Sequence, residues 1–203
     1  MKTKHILYTA ALSLLLAACG GNDFSPKPPA YLRIDMPGHS YARVAEAPAE
    51  EDSTLTALPF SFEIGNAATA VLKKNTRHEV WVDLRYPKWN GVVFLSYKRI
   101  HGKDELRGQL DTSSRYLEPQ YRFASGIDER AYEDPEHKVY GTVWHIKGNK
   151  VASTYQFLCT DSTNHFLRGA LFIDSPANND SLAPVLQYLQ ADVDHFVETL
   201  RWK

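Results

Sequence analysis

Three β-patterned runs follow one another at residues 139–147, 151–159 and 165–173, and the connections between them are too short to hold a crossover helix. Strands joined this closely pair antiparallel, so any fold of this chain must contain a meander. Gly148-Asn149 marks the first connection as a hairpin, and Thr160-Asp161-Ser162-Thr163-Asn164 reads as a polar turn. After the third run, Val185, Leu186, Leu189, Val193, Phe196, Val197 and Leu200 recur in steps of three and four from Leu182. That spacing predicts a long amphipathic C-terminal helix, which must bury its stripe against the sheet. Asn179-Asp180-Ser181 offers its N-cap, and Pro184 is tolerable in a first turn.

Upstream, β-branched and aromatic residues predict strands at 31–35, 60–64, 80–84 and 92–97. Tyr86-Pro87-Lys88-Trp89-Asn90-Gly91 between the last two predicts a tight turn. From residue 104 to 124 the period changes, with Leu106, Leu110, Leu117, Tyr121 and Ala124 on one helical stripe. Pro119 should end or kink that helix near Leu117. The stretch 45–52 (AEAPAEED) is small and acidic, without an apolar face, and reads as a solvated loop. Together these elements give an α+β fold: an antiparallel sheet flanked by an amphipathic middle helix and a long C-terminal helix. Their order resembles the Mog1/PsbP-like sandwich, by analogy of architecture alone.

The N-terminus obeys a different logic. Lys2 and Lys4 precede an apolar run, residues 6–18, that suits a signal-peptide core and is too short to span a bilayer. Leu16-Ala17-Ala18-Cys19 then has the bacterial lipobox pattern: Leu, two small residues, and a cysteine whose thiol accepts diacylglycerol. The expected organisation is a leader over 1–18, a lipidated proline-rich tether over 19–30, and one α+β domain over 31–203. Acyl chains on Cys19 would hold the protein to a membrane, and Gly20, where an Asp would favour inner-membrane retention, favours the outer membrane facing the periplasm. Loss of the leader leaves 21 basic against 24 acidic side chains, a net charge of −3 and no footprint for nucleic acid. Cys159 then has no intramolecular disulfide partner, and its apolar surroundings predict a buried, inert thiol.

Catalytic and metal motifs are not in evidence. Asp161, Ser162 and His165 stand too close in sequence for a triad, there is no G-x-S-x-G elbow, and Asp161 and Ser162 are ordinary turn residues. His137, His145, His165 and His195 fall on separate elements without ligand spacing. Glu133, Asp134 and Glu136 read as a solvated acidic turn. No cofactor and no small-molecule substrate is expected. The better lead is interaction: Trp89 in its turn, Asp161 and Asn164 in theirs, and Arg168, whose five-donor fork suits carboxylate recognition. A second reading, a carrier for a small apolar ligand held between sheet and helix, stays open on these grounds.

Several segments carry a family resemblance. They are Tyr31-Leu32-Arg33-Ile34-Asp35-Met36-Pro37, Pro59-Phe60-Ser61-Phe62-Glu63, and Tyr86-Pro87-Lys88-Trp89-Asn90-Gly91 leading to Leu95-Ser96-Tyr97-Lys98. Further on come Lys138-Val139-Tyr140-Gly141-Thr142, Ile146-Lys147-Gly148-Asn149 and the run from Thr160 to Gly169. The last are Asp180-Ser181-Leu182-Ala183-Pro184-Val185 and the ending Glu198-Thr199-Leu200-Arg201-Trp202-Lys203. In this order they resemble the GldD family of gliding-motility lipoproteins from Bacteroidetes. The resemblance implies a periplasm-facing lipoprotein without enzyme activity, required for gliding and linked to type 9 secretion, with other envelope proteins of that machinery as partners. The acidic stretch 45–52 is a departure from the family pattern.

Overall fold

Alternation of apolar and polar side chains, sustained over seven segments, builds one large sheet in the computed structural model. The structure describes residues 34–44, 58–175 and 178–203. The leader, Cys19, the tether and the loop 45–52 lie outside the described residues.

In chain order the strands are β1 (Tyr41–Arg43), β2 (Phe60–Ser61), β3 (Glu63–Gly65), β4 (Thr69–Asn75), β5 (Glu79–Tyr86) and β6 (Gly91–Arg99). Helix α1 (Lys103–Tyr121) precedes β7 (Gly126–Asp134), β8 (Val139–Lys147), β9 (Tyr155–Thr160) and β10 (His165–Ile173). Helix α2 (Asn179–Thr199) and the short β11 (Arg201–Trp202) complete the described chain. The main sheet runs β4-β5-β6-β10-β9-β8-β7, and every neighbouring pair is antiparallel. Two meanders, β4–β6 and β7–β10, meet where β6 pairs with β10. The link between the meanders is α1. It leaves the middle of the sheet after β6 and returns the chain at the far edge as β7, so it crosses only the β10-β9-β8 half.

Strand alternation assigns the two faces. Val82, Leu84, Val93, Leu95, Phe157 and Leu167 point to one face and form the main core with Val185, Leu189, Val193 and Phe196 of α2. Their sequence neighbours Leu158 and Phe166 point to the other face, where Trp144, Ile146 and Leu117 of α1 close a smaller cluster. Each fully buried Leu, Val or Phe side chain contributes about 1.5–3 kcal/mol by leaving water, so the α2 face dominates the stability of the fold. Gly169 lies directly under the Phe157 ring, and a Cβ there would come within 2.1 Å of a ring carbon. Only a glycine lets that ring lie flat across the pair.

The α+β architecture, the meander and α2 agree with the sequence reading, and several boundaries change. Residues 31–33 lie outside the described part, and Ile34 and Asp35 are not in a strand. The expected strand 60–64 is two short strands in separate two-stranded sheets, β2 with β11 and β3 with β1. The run 151–159 starts its strand only at Tyr155, so Gly148-Asn149 opens a longer connection and not a two-residue hairpin. Glu133 and Asp134 belong to β7. α1 runs two residues past Pro119, because proline removes only its own donated bond while Gln120 and Tyr121 can still donate. Pro184 is the sixth helical residue and not a first-turn residue. On α1, Leu117 is buried at 4% but Leu110 and Tyr121 are exposed, and Ser113 at 2% takes the inward place. Cys159 is fully buried, and burial pushes its thiol well above the ordinary range.

Candidate interaction surface

The half-covered face is built row by row from the pairing register. Ser96 of β6 stands between Trp81 of β5 and Arg168 of β10, and in the next row Phe94 stands between Asp83 and Ala170. A third row sets Val92 between Arg85 and Phe172. Because α1 crosses only the other half, Trp81 and Phe94 remain 45% and 46% exposed. The Phe94 and Phe172 rings lie 5.7 Å apart, and the Lys74 ammonium sits 4.5 Å from the Trp81 ring centroid. Trp81 and Phe94 were not singled out from the sequence. The signal was present, since Val80-Trp81-Val82 puts Trp81 out of phase with two buried valines.

Where α1 meets this open half, Arg168 is half-buried. Its Nη2 donates to Gln156 Oε1, and its guanidinium carbon lies 4.6 Å from the Tyr116 ring centroid on α1. Among the described residues no carboxylate lies within ion-pair distance of it. Burial pulls the guanidinium below its ordinary value and Tyr116 partly offsets that, yet Arg stays charged at neutral pH. Beside it lies a cavity of about 160 Å³, walled by Ser96, Lys98, Thr112, Ser113, Tyr116 and Arg168 among others.

The other residues proposed from the sequence are dispersed. Asp161 Oδ1 accepts the backbone N–H groups of Thr163 at 2.9 Å, Asn164 at 2.8 Å and His165 at 2.8 Å. Its Oδ2 accepts the Thr163 hydroxyl at 2.8 Å. Burial alone would raise this carboxyl, but the donors from His165, Thr163 and Asn164 outweigh it and hold the group below its ordinary value. The side chain is spent on its own turn, while Asn164 is exposed. That turn sits at the Arg99 end of β6, whereas Trp89 sits beyond the Gly91 end. The nine-residue strand places them roughly 26 Å apart. Trp89 also belongs to the α2 face, with its ring 5.0 Å from that of Tyr188 and its Nε1 buried without a partner. Arg168 and the Asp161 turn share a strand; Trp89 joins neither.

A second cluster, missed in the sequence, fixes the N-terminal segment 34–44 to α2. Tyr188, His39, Tyr41 and His195 stack in succession with centroid spacings of 4.1, 5.9 and 3.5 Å. Two hydrogen bonds hold the stack: His39 Nδ1 with Asp192 Oδ1 at 2.7 Å and His195 Nε2 with Glu63 Oε2 at 2.7 Å. Tyr41 is pushed up to about 12 by burial and then by the Asp192 charge. The Asp192 side chain is 1% exposed. Gly65 makes room for that carboxylate, since a Cβ there would come within 2.4 Å of Oδ2. Long-range pairing of residue 39 with residue 192 leaves no trace in local sequence. The arrangement clamps a chain segment, and the Thr199 hydroxyl beside it is spent on backbone, donating to His195 O at 2.8 Å and accepting from Glu63 N–H at 3.0 Å.

Among the described residues no group of three His, Cys, Asp or Glu side chains is placed to hold a metal ion. No helix among them is long and apolar enough to cross a membrane. No curated protein matches the chain, and no solved structure matches it. A family model does match, the gliding motility lipoprotein GldD, over residues 21–202. That span takes in the clamp, both helices and every strand of the sheet, and the chain belongs to the GldD family of gliding motility lipoproteins.

Proposed function

We propose that the protein is a non-enzymatic component of the gliding and type 9 secretion machinery that acts by binding other envelope proteins. Lipid on Cys19 fixes it to the outer membrane, facing the periplasm, and the tether sets its reach. The observation that carries the binding reading is the uncovered half-sheet. Trp81 and Phe94 are about half exposed beside Phe172, on a face that α1 leaves open. Large aromatics held rigid on strands are favourable anchors for a partner, because they bury much area at little cost in side-chain entropy.

The other reading, a carrier of a small apolar ligand, is disfavoured by packing. The centre of the layer between the sheet and α2 is filled by Phe60, Phe62, Phe157, Leu167, Leu171 and Leu189, each at 2% exposure or less, and the cavities lined by Leu186 of α2 lie at its N-terminal end.

The test is affinity purification of the full lipoprotein from detergent-solubilised envelopes, wild type beside a Trp81→Ser/Phe94→Ser variant, with bound proteins identified by mass spectrometry. Wild type is expected to recover gliding or type 9 secretion components. The variant, with an unchanged thermal unfolding curve, is expected to lose them. Equal recovery by both proteins would sink this surface, and recovery of the lipoprotein alone would sink the binding reading.

A further inference from the structure

We infer that the cavity between α1 and strands β6 and β10 is a binding site for a single carboxylate, with Arg168 as its principal ligand. A half-buried guanidinium with no anionic partner among the described residues is costly, and Arg168 is one. One of its five N–H donors goes to the neutral Gln156 amide, and its face rests on Tyr116. These contacts orient the fork without neutralising it.

The cavity wall supplies more donors of the right kind. Ser96, Thr112 and Ser113 bring hydroxyls, and Lys98 brings a second cation. Lys98 is only partly matched, because its Nζ lies 3.8 Å from Glu79 Oε1 while the same carboxylate pairs with Lys74. At the fork itself the unmatched charge is that of one guanidinium, which a single carboxylate balances. Geometry agrees, since the planar guanidinium fork matches a carboxylate in two parallel hydrogen bonds. The volume of about 160 Å³ accepts a carboxylate with the methylene groups that carry it, as a water occupies about 30 Å³. Phe94, one row away, offers apolar surface to whatever flanks the acid.

The carboxylate then belongs to an acidic side chain of a partner protein. That attribution rests on the protein-binding reading above, whereas the site itself does not. The experiment uses the full lipoprotein in detergent micelles, labelled with ¹⁵N-arginine, and follows the side-chain Nε resonance that disappears in Arg168→Gln. N-acetylglutamate blocked as its α-methylamide is the probe, so that the side-chain carboxylate is its one charge. N-acetylglutamine blocked in the same way, which carries no carboxylate, and inorganic phosphate are the comparisons. The expected result is a saturable shift of the Arg168 resonance with the blocked glutamate and none with the blocked glutamine. Arg168→Lys, which keeps the charge but loses the fork, should bind about tenfold more weakly in calorimetric titration, the loss of one charged hydrogen bond.

The inference falls if Arg168 shows no saturable shift, or if the glutamine analogue shifts it equally. Saturation by phosphate at lower concentration than by the blocked glutamate would also overturn it, as the site would then be a phosphate site. Arg168→Lys removes the same resonance, so it assigns the signal if Arg168→Gln fails to fold. Saturation by the blocked glutamate together with partner recovery that ignores the Trp81/Phe94 variant would remove the surface reading and leave the site intact.

Discussion

At the scale of single residues, Asp161 shows how much one carboxylate can organise. It closes the turn between β9 and β10 by accepting three backbone N–H groups and one hydroxyl. Asp161→Ala leaves those donors without an acceptor and is expected to cost about 1–3 kcal/mol in urea unfolding. Asp161→Asn keeps an oxygen in the same place and should cost about half as much. The folded-state carboxyl lies below its ordinary value, so its stabilisation is present above an unfolded-state value of about 3.9 and fades as pH falls below it. The gap between wild type and Asp161→Ala should therefore be full at pH 7 and narrow in strongly acidic solution. A gap that stays constant between those conditions would show that the charge plays no part in the turn.

At the scale of elements, the legible parts were those whose periodicity a single partner enforces. α2 was legible because one face of it meets a continuous apolar sheet, so its apolar steps are unbroken. β9 was half legible: it is buried on both faces, all six residues of it, and alternation disappears from such a strand. β7 was not legible, since its exposed edge position lets GIDERAYED stay mostly polar. For α1 the stripe was misplaced because the helix rests partly on the polar Arg168 cavity. Small Ser113 and polar Gln109 are turned toward it, where Leu110 had been expected. Of the candidate surface, Arg168 was readable from its chemistry, but the strand order that separates Trp89 from Asp161 was not. The helix placement has a direct check in chemical unfolding. Leu117→Ala, at 4% exposure, should destabilise by about 2–4 kcal/mol. Leu110→Ala, at 38%, should change stability by less than about 0.5 kcal/mol. Equal costs would mean that α1 buries the other stripe.

At the scale of the whole molecule, the function proposed above puts three devices in series: lipid on Cys19, a tether over 19–30, and the ring clamp that fixes segment 34–44 to α2. In that scheme the clamp matters to reach, because it makes the residues from 34 onward part of the domain. With His39 and Tyr41 stacked against Tyr188 and His195, residues beyond about 34 add nothing to the distance between membrane and domain. Only the proline-rich stretch does, at about 3.1 Å per residue when extended. Removing residues 22–30 should thus draw the domain in by roughly 28 Å, without touching its core or its lipid. The expected outcome is a protein whose intact mass still shows a mature chain beginning at an acylated Cys19, whose thermal unfolding is unchanged, and whose partner recovery from envelopes is lost. An unmodified Cys19 in the intact mass would remove the anchor from this scheme. Full partner recovery by the shortened protein would show instead that binding takes place at the membrane surface, where the tether length has no role.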